Sequence, residues 1–228
     1  MRALVDLLAP PTCDGCGRRA APPWCDTCAA AAPAHPDPCR RCAGPRGAGH
    51  PCWPADAAVD SLVALGTWHG PVATALVRAK EAGRPEVLRA AGLRLAGLVE
   101  VQRVDAVVAV PTDRRRARLR GADHTAALAV GVAGATGLPV RVPLRPAGPL
   151  PDRGRVASHE RGEAPPTLFT AVSAAPVRVL LVDDVCTTGG TLSAVALALR
   201  AAGARAVHGA VLARAGLHPL VGSAPRVR

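Results

Sequence analysis

Two adjacent carboxylates, Asp183 and Asp184, stand between an apolar run, Val179-Leu180-Leu181-Val182, and the small, hydroxyl-rich stretch Val185-Cys186-Thr187-Thr188-Gly189-Gly190-Thr191-Leu192. The run reads as a buried strand, the acids as its C-terminal end, and the residues after them as a turn opening a helix. Ionised carboxylates offer only acceptors, which suits hydroxyl donors such as the 2′ and 3′ groups of a sugar. The main-chain N–H groups and hydroxyls of Thr187, Thr188, Gly189, Gly190 and Thr191 would gather at a helix N-terminus, where an anion is favoured. One short segment would thus grip a diol and a phosphate beside it. An ordinary strand–turn–helix with an Asp pair at the cap is the bland alternative, but it does not require acids, threonines and glycines in this order.

The segment resembles the phosphoribosyl pyrophosphate (PRPP) motif of type I phosphoribosyltransferases: apolar run, Asp-Asp, two variable residues, Thr-Thr-Gly, small residue, Thr. Two further segments could serve such a site. After the apolar run Asp105–Val110 comes Pro111-Thr112-Asp113-Arg114-Arg115-Arg116-Ala117-Arg118-Leu119-Arg120-Gly121. A basic loop at that place can hold a pyrophosphate, with Arg116 and Arg120 as candidates; a solvated turn is the commoner fate of a charge run. The second is Lys80, the only lysine beside 27 arginines, where a compact ammonium is wanted.

The elements needed to position these groups alternate as strands and helices. Strands are expected over 61–68, 105–110, 139–143, the run before Asp183, and 206–213. Helices are expected over 71–80, 85–101, 122–136 and 190–202. Residues 145–166, rich in Pro, Gly and Arg, read as a mobile loop, and the tail from Ala215 as irregular. Alternation predicts an α/β fold with a mainly parallel twisted sheet flanked by helices, its ligands at the strand C-terminal ends. With four aromatic residues in 228, Trp24, Trp53, Trp68 and Phe169, the core must rest on Ala, Val and Leu.

Seven of the eight cysteines fall between positions 13 and 52: Cys13-x2-Cys16, Cys25-x2-Cys28, Cys39-x2-Cys42 and a solitary Cys52. This is knuckle spacing for structural Zn²⁺. The segment is too short and too poor in large apolar residues to fold without a staple. Disulfides compete, but the odd count and a cytoplasmic setting oppose them. Cys13, Cys16, Cys25 and Cys28 make the simplest closed site. Cys39, Cys42 and Cys52 begin a second, with His50 the nearest fourth ligand and Asp56 and His35 behind it. Interleaved pairing, or a metal-free second knuckle, stays open. A Cys-rich region over 1–57 and an α/β domain over 58–228 are the expected division.

The net charge of +11 favours phosphate-bearing partners. Few aromatics are present to stack single-stranded bases. No run approaches a membrane span and no secretory leader is visible, so a cytoplasmic protein without membrane insertion is expected.

The whole layout resembles the ComF/GntX family of bacterial phosphoribosyltransferase-like proteins. The match runs through the Cys-x2-Cys knuckles, Trp68, Lys80, Gly83-Arg84, Val110-Pro111, Arg120-Gly121, Arg161, Phe169 and the Asp183–Thr191 block. Ala122-Asp123 stands where the family has an aromatic-Asn pair. Asp152-Arg153 and Ala164 replace a Gln and an Asn, and one knuckle cysteine is missing. The resemblance implies a type I phosphoribosyltransferase fold and use of PRPP with Mg²⁺. It implies catalytic roles for Asp183, Asp184 and Lys80, and work on imported single-stranded DNA alongside the competence machinery. Three functions are open: a transferase acting on an unidentified acceptor, a PRPP- or nucleotide-sensing module without chemistry, and a single-stranded-DNA-handling adaptor.

Overall fold

In a computed structural model the chain is described over residues 10–20, 23–30, 37–46, 52–53, 56–113, 117–118, 121–150 and 166–215. Five strands form one parallel sheet: β1 (Ser61–Thr67), β2 (Ala106–Ala109), β3 (Val140–Arg141), β6 (Arg178–Cys186) and β7 (Ala206–Arg214), in the order β1-β7-β6-β2-β3. Two three-residue strands, β4 (Leu144–Pro146) and β5 (Phe169–Ala171), pair antiparallel beside it. The helices are α1 (Asp26–Ala30), α2 (Gly70–Glu81), α3 (Pro85–Ala96), α4 (His124–Thr136) and α5 (Gly190–Ala201). The α/β expectation with a mainly parallel sheet therefore holds.

β6 lies inside the sheet, covered on both faces, which is why it is a continuous apolar run rather than an alternating one. Its side chains still alternate. Leu180 and Val182 enter a core with residues of α2, α3 and α4, while Val179 and Leu181 enter a second core with residues of α5. On the first face α3 and α4 meet almost backbone to backbone. A Cβ added at Gly92 would lie 2.9 Å from Val132 N, and one added at Gly131 would lie 2.9 Å from the Arg89 carbonyl carbon.

Boundaries differ from expectation in four places. The helix expected over 85–101 stops at Ala96; the amide of Gly97 bonds back to the Arg94 and Leu95 carbonyls, and a separate 3-10 turn covers Val101–Arg103. The strand expected over 139–143 shrinks to two residues at the sheet edge. Residues 144–146, assigned mostly to a loop, pair with 169–171 instead. β6 runs through both aspartates to Cys186 rather than ending at them. The loop expected over 145–166 falls mostly on 151–165, and the irregular tail on 216–228, both outside the described residues.

The cysteine segments are packed into the sheet's two cores. Cys13, Trp24 and Cys28 join the α2–α3 side, and Ala43 joins the α5 side. Trp24 Nε1 donates to the Pro71 carbonyl at 3.1 Å, and Leu62 N donates to the Arg40 carbonyl at 2.9 Å, tying the second knuckle to β1. Among the described residues no helix is long and apolar enough to cross a membrane.

Candidate functional site

Alternation along β6 separates the two acids. Asp183 follows Val179 and Leu181 toward the α5 face and is buried. Asp184 follows Leu180 and Val182 toward the α2 face, where Lys80 Nζ forms an ion pair with its Oδ2. Lys80 sits in the last turn of α2, so the ammonium also faces the negative end of that helix. Burial first, and the neighbouring Asp184 charge second, push the Asp183 carboxyl up to about 8 against the pull of the Asp184 amide and Lys80. That amide donates to Asp183 Oδ1 at 2.8 Å. The two acids of the expected pair thus differ: Asp183 is buried and holds its proton more tightly than an ordinary carboxyl, and Asp184 is paired with a cation.

The turn after β6 behaves as its composition requires. Gly189 adopts a left-handed φ of 89°, which a side chain would strain, and α5 starts at Gly190. Gly190 N reaches Thr188 Oγ1 at 3.4 Å, and the Thr191 and Leu192 amides have no main-chain acceptor among the described residues. These are orphan donors of a helix start, suited to an anion. A cavity of about 310 Å³ runs from Thr188, Gly189 and Gly190 along α5 to Ser193, with Trp53 and Asp56 opposite.

Three neighbours of the site were given no role from sequence. Trp53 lies on Gly189 and donates from Nε1 to the Thr188 carbonyl at 3.3 Å. Arg214, at the end of β7 and only 5% exposed, bonds the Thr187 carbonyl among others. Asp123 caps α4, its Oδ1 accepting from Ala126 N at 3.0 Å and from the Thr112 hydroxyl at 3.1 Å. Asp123 therefore clamps the start of the basic loop to its end. A capping pattern, Asp before an apolar helical run, could have flagged Asp123; long-range contacts such as those of Trp53 and Arg214 leave no local signature. Arg116 and Arg120 lie outside the described residues. His124, the first residue of α4, is buried, and His208 Nδ1 lies 2.8 Å from the Ser61 hydroxyl oxygen. Cys186 is buried filler, its thiol pushed up to about 12 by desolvation.

The cysteines separate into sequential sets. The thiols of Cys13, Cys16, Cys25 and Cys28 lie within 4.8 Å of one another, and so do those of Cys39, Cys42 and Cys52. Interleaved pairing is thereby replaced by two successive clusters. The two knuckles share one turn: Cys13 N donates to Arg18 O and Gly17 N to Cys13 O, as Cys39 N does to Gly44 O and Ala43 N to Cys39 O. Ala43 even takes the left-handed φ, 54°, that Gly17 takes at 76°. None of the eight cysteines, all described, is in a disulfide. Four sulfurs about 2.3 Å from one zinc lie ~3.8 Å apart, the separation of Cys16 Sγ and Cys25 Sγ here, 3.8 Å. Arg18 donates to Cys16 Sγ and lowers that thiol to about 6, while burial drives Cys28 up to about 12. The donor set fits Zn²⁺. His50 lies outside the described residues, so the second cluster shows three thiols.

The model for the Phosphoribosyl transferase domain matches residues 173–221, which hold β6, the turn, α5 and β7. The likeness covers about a fifth of the chain, the part that holds the Asp pair and the turn. Among solved structures it is similar to glutamine PRPP amidotransferase from B. subtilis, at 28% identity over 54% of this chain and 25% of that one, TM-score 0.36. It is similar to adenine phosphoribosyltransferase from Thermoanaerobacter pseudethanolicus, at 22% identity over 57% and 70%, TM-score 0.35. A third, adenine phosphoribosyl transferase from Trypanosoma brucei in complex with AMP, pyrophosphate and ribose-5-phosphate, is 16% identical over 66% and 77%, TM-score 0.35. The chain spans about a quarter of the amidotransferase. A search of curated proteins finds no significant match.

Proposed function

We propose that the chain binds PRPP with Mg²⁺ across Asp183, Asp184 and the Thr187–Thr191 turn, and transfers the phosphoribosyl group to an acceptor with release of pyrophosphate. The observation that carries this reading is the Lys80–Asp184 ion pair beside buried Asp183, at the entrance to an anion-binding turn. Asp183 and Asp184 accept hydrogen bonds from the ribose hydroxyls, and the turn's amides take the 5′-phosphate. Lys80 exchanges from Asp184 to the leaving pyrophosphate as its charge develops in an oxocarbenium-like transition state. The bond from C1 to the pyrophosphate oxygen breaks, its electron pair leaving with that oxygen, as the acceptor's nucleophilic atom bonds to C1. The acceptor's proton passes to Asp184, now released from its cation. Mg²⁺, when bound, neutralises pyrophosphate charge; carboxylate oxygens are the hard donors it prefers. Arg116 and Arg120 are assigned to the pyrophosphate side by their place in the sequence after β2.

Within this reading the chain is of the ComF/GntX type, a cytoplasmic protein working beside single-stranded DNA taken up in competence. Support comes from the order of its parts: two cysteine knuckles of one turn geometry ahead of the transferase-type domain. Zn²⁺ in the clusters is structural, and the division after residue 57 marks a change of chemistry more than of packing. A sensing module without chemistry, or a DNA-handling adaptor, are the competing readings.

The test is pyrophosphate release from PRPP and Mg²⁺ over a panel of nucleobase and amine acceptors. Release by wild type that falls about 100-fold or more in Lys80→Met supports transfer. PRPP binding without release for any acceptor replaces it with the sensing reading. DNA binding that weakens steeply with salt and ignores Asp183→Asn/Asp184→Asn supports the adaptor.

A further inference from the structure

Both carbonyls that open the anion-binding turn accept from side chains outside it. Arg214 donates to the Thr187 carbonyl, to Cys186 O at 3.1 Å, to Ala215 O at 2.7 Å and, through Nε, to Cys42 O at 2.7 Å. Every hydrogen bond this buried guanidinium makes among the described residues is to a main-chain carbonyl. Trp53 holds the next peptide: Nε1 donates to Thr188 O, and the ring lies so close that a Cβ on Gly189 would meet it at 2.5 Å. Both groups lead back to the second cysteine cluster. Cys42 is one of its three thiols, and Trp53 directly follows Cys52, whose Sγ is 3.5 Å from that of Cys39.

In a trans peptide the C=O and the N–H of the next residue are antiparallel. Fixing the Thr187 carbonyl therefore aims the Thr188 amide away from Arg214, and fixing the Thr188 carbonyl aims the Gly189 amide away from Trp53. We propose that Arg214 and Trp53 are positioning residues that preorganise the turn's amides for the ligand phosphate from the Cys39–Cys42–Cys52 cluster, so that metal at this cluster and ligand at the turn strengthen one another. The inference rests on the PRPP-binding reading. Coupling is reciprocal: whatever factor metal adds to ligand affinity, ligand adds to metal affinity. The first cluster's segment packs instead against the helix of Lys80, with Trp24 donating to the Pro71 carbonyl and Arg78 to the Asp14 carbonyl.

Two measurements on the zinc-loaded full chain test the coupling. PRPP with Mg²⁺ is titrated by calorimetry into wild type, Arg214→Met and Trp53→Leu, and zinc loss to a chromophoric chelator is timed with and without PRPP. The expected result is PRPP binding at least about tenfold weaker in both variants at unchanged far-UV circular dichroism. In wild type, PRPP should slow one phase of zinc release, and the variants should lose that protection. Should Arg214→Met fail to fold, Trp53→Leu alone decides, since Trp53 is only partly buried and the milder change. Wild-type PRPP affinity in a folded variant, or zinc release indifferent to PRPP, overturns the inference while leaving the binding site intact. No PRPP binding by wild type overturns the functional reading and the coupling with it.

Discussion

Adjacent residues on a strand face opposite sides, and in β6 this gives two aspartates of one chemical type different surroundings. Asp183 enters the α5 face without a cation of its own and is pushed up to about 8, mainly by burial. Asp184 enters the α2 face and meets Lys80. A raised carboxyl pKa means the folded chain holds a proton between about pH 4 and about pH 8 that the unfolded chain has released. Stability must then fall as pH rises through that window, by at most about 1.4 kcal/mol per unit. Denaturant titrations of the zinc-loaded protein at pH 6, 7 and 8 should show this fall in wild type. The difference between wild type and Asp183→Asn should isolate it, since Asn cannot titrate; parallel profiles for the two would refute the protonated state. The Asp pair, the turn and the lone lysine were legible in the sequence because each is a local or compositional signal. Arg214 and Trp53 were not: one looks like any other of 27 arginines, and the other's contact spans 135 residues.

At the scale of elements, the site depends on how closely helices can approach the sheet and one another. The strands and helices around the turn were legible from apolar runs and glycine punctuation. β4 and β5 were not, since three residues are too few to show an alternation and Pro146 reads as a loop residue. The end of α3 was missed because apolar residues continue past Gly97 into the 3-10 turn. The contact between α3 and α4 is set by Gly92 and Gly131, which sit where no side chain fits. Gly131→Val should force these helices apart and destabilise the fold by about 1–3 kcal/mol or more, read as a lower midpoint in thermal or denaturant unfolding. An unchanged midpoint would mean that α4 slides without cost, contrary to the packing described.

For the whole molecule, the two cysteine clusters brace opposite faces of one sheet. Composition and spacing picked out the two sets of cysteines, yet not this placement, because nothing local says which face a knuckle will cover. Since Cys13, Trp24 and Cys28 belong to the core of α2 and α3, zinc removal should loosen that core as well as the N-terminal segment. Chelation is expected to lower the thermal midpoint by at least about 10 °C, given that structural zinc contributes directly to folding free energy. A midpoint indifferent to chelator would make the clusters ornamental.

The central claim is a ribose-phosphate site built on Asp183, Asp184 and the following turn. It is tested most directly by calorimetric titration of PRPP and Mg²⁺ into zinc-loaded wild type beside Asp183→Asn/Asp184→Asn. The account predicts saturable, one-to-one binding that the double variant loses while keeping its fold. Equal binding by both proteins, or none by a folded wild type, would contradict it.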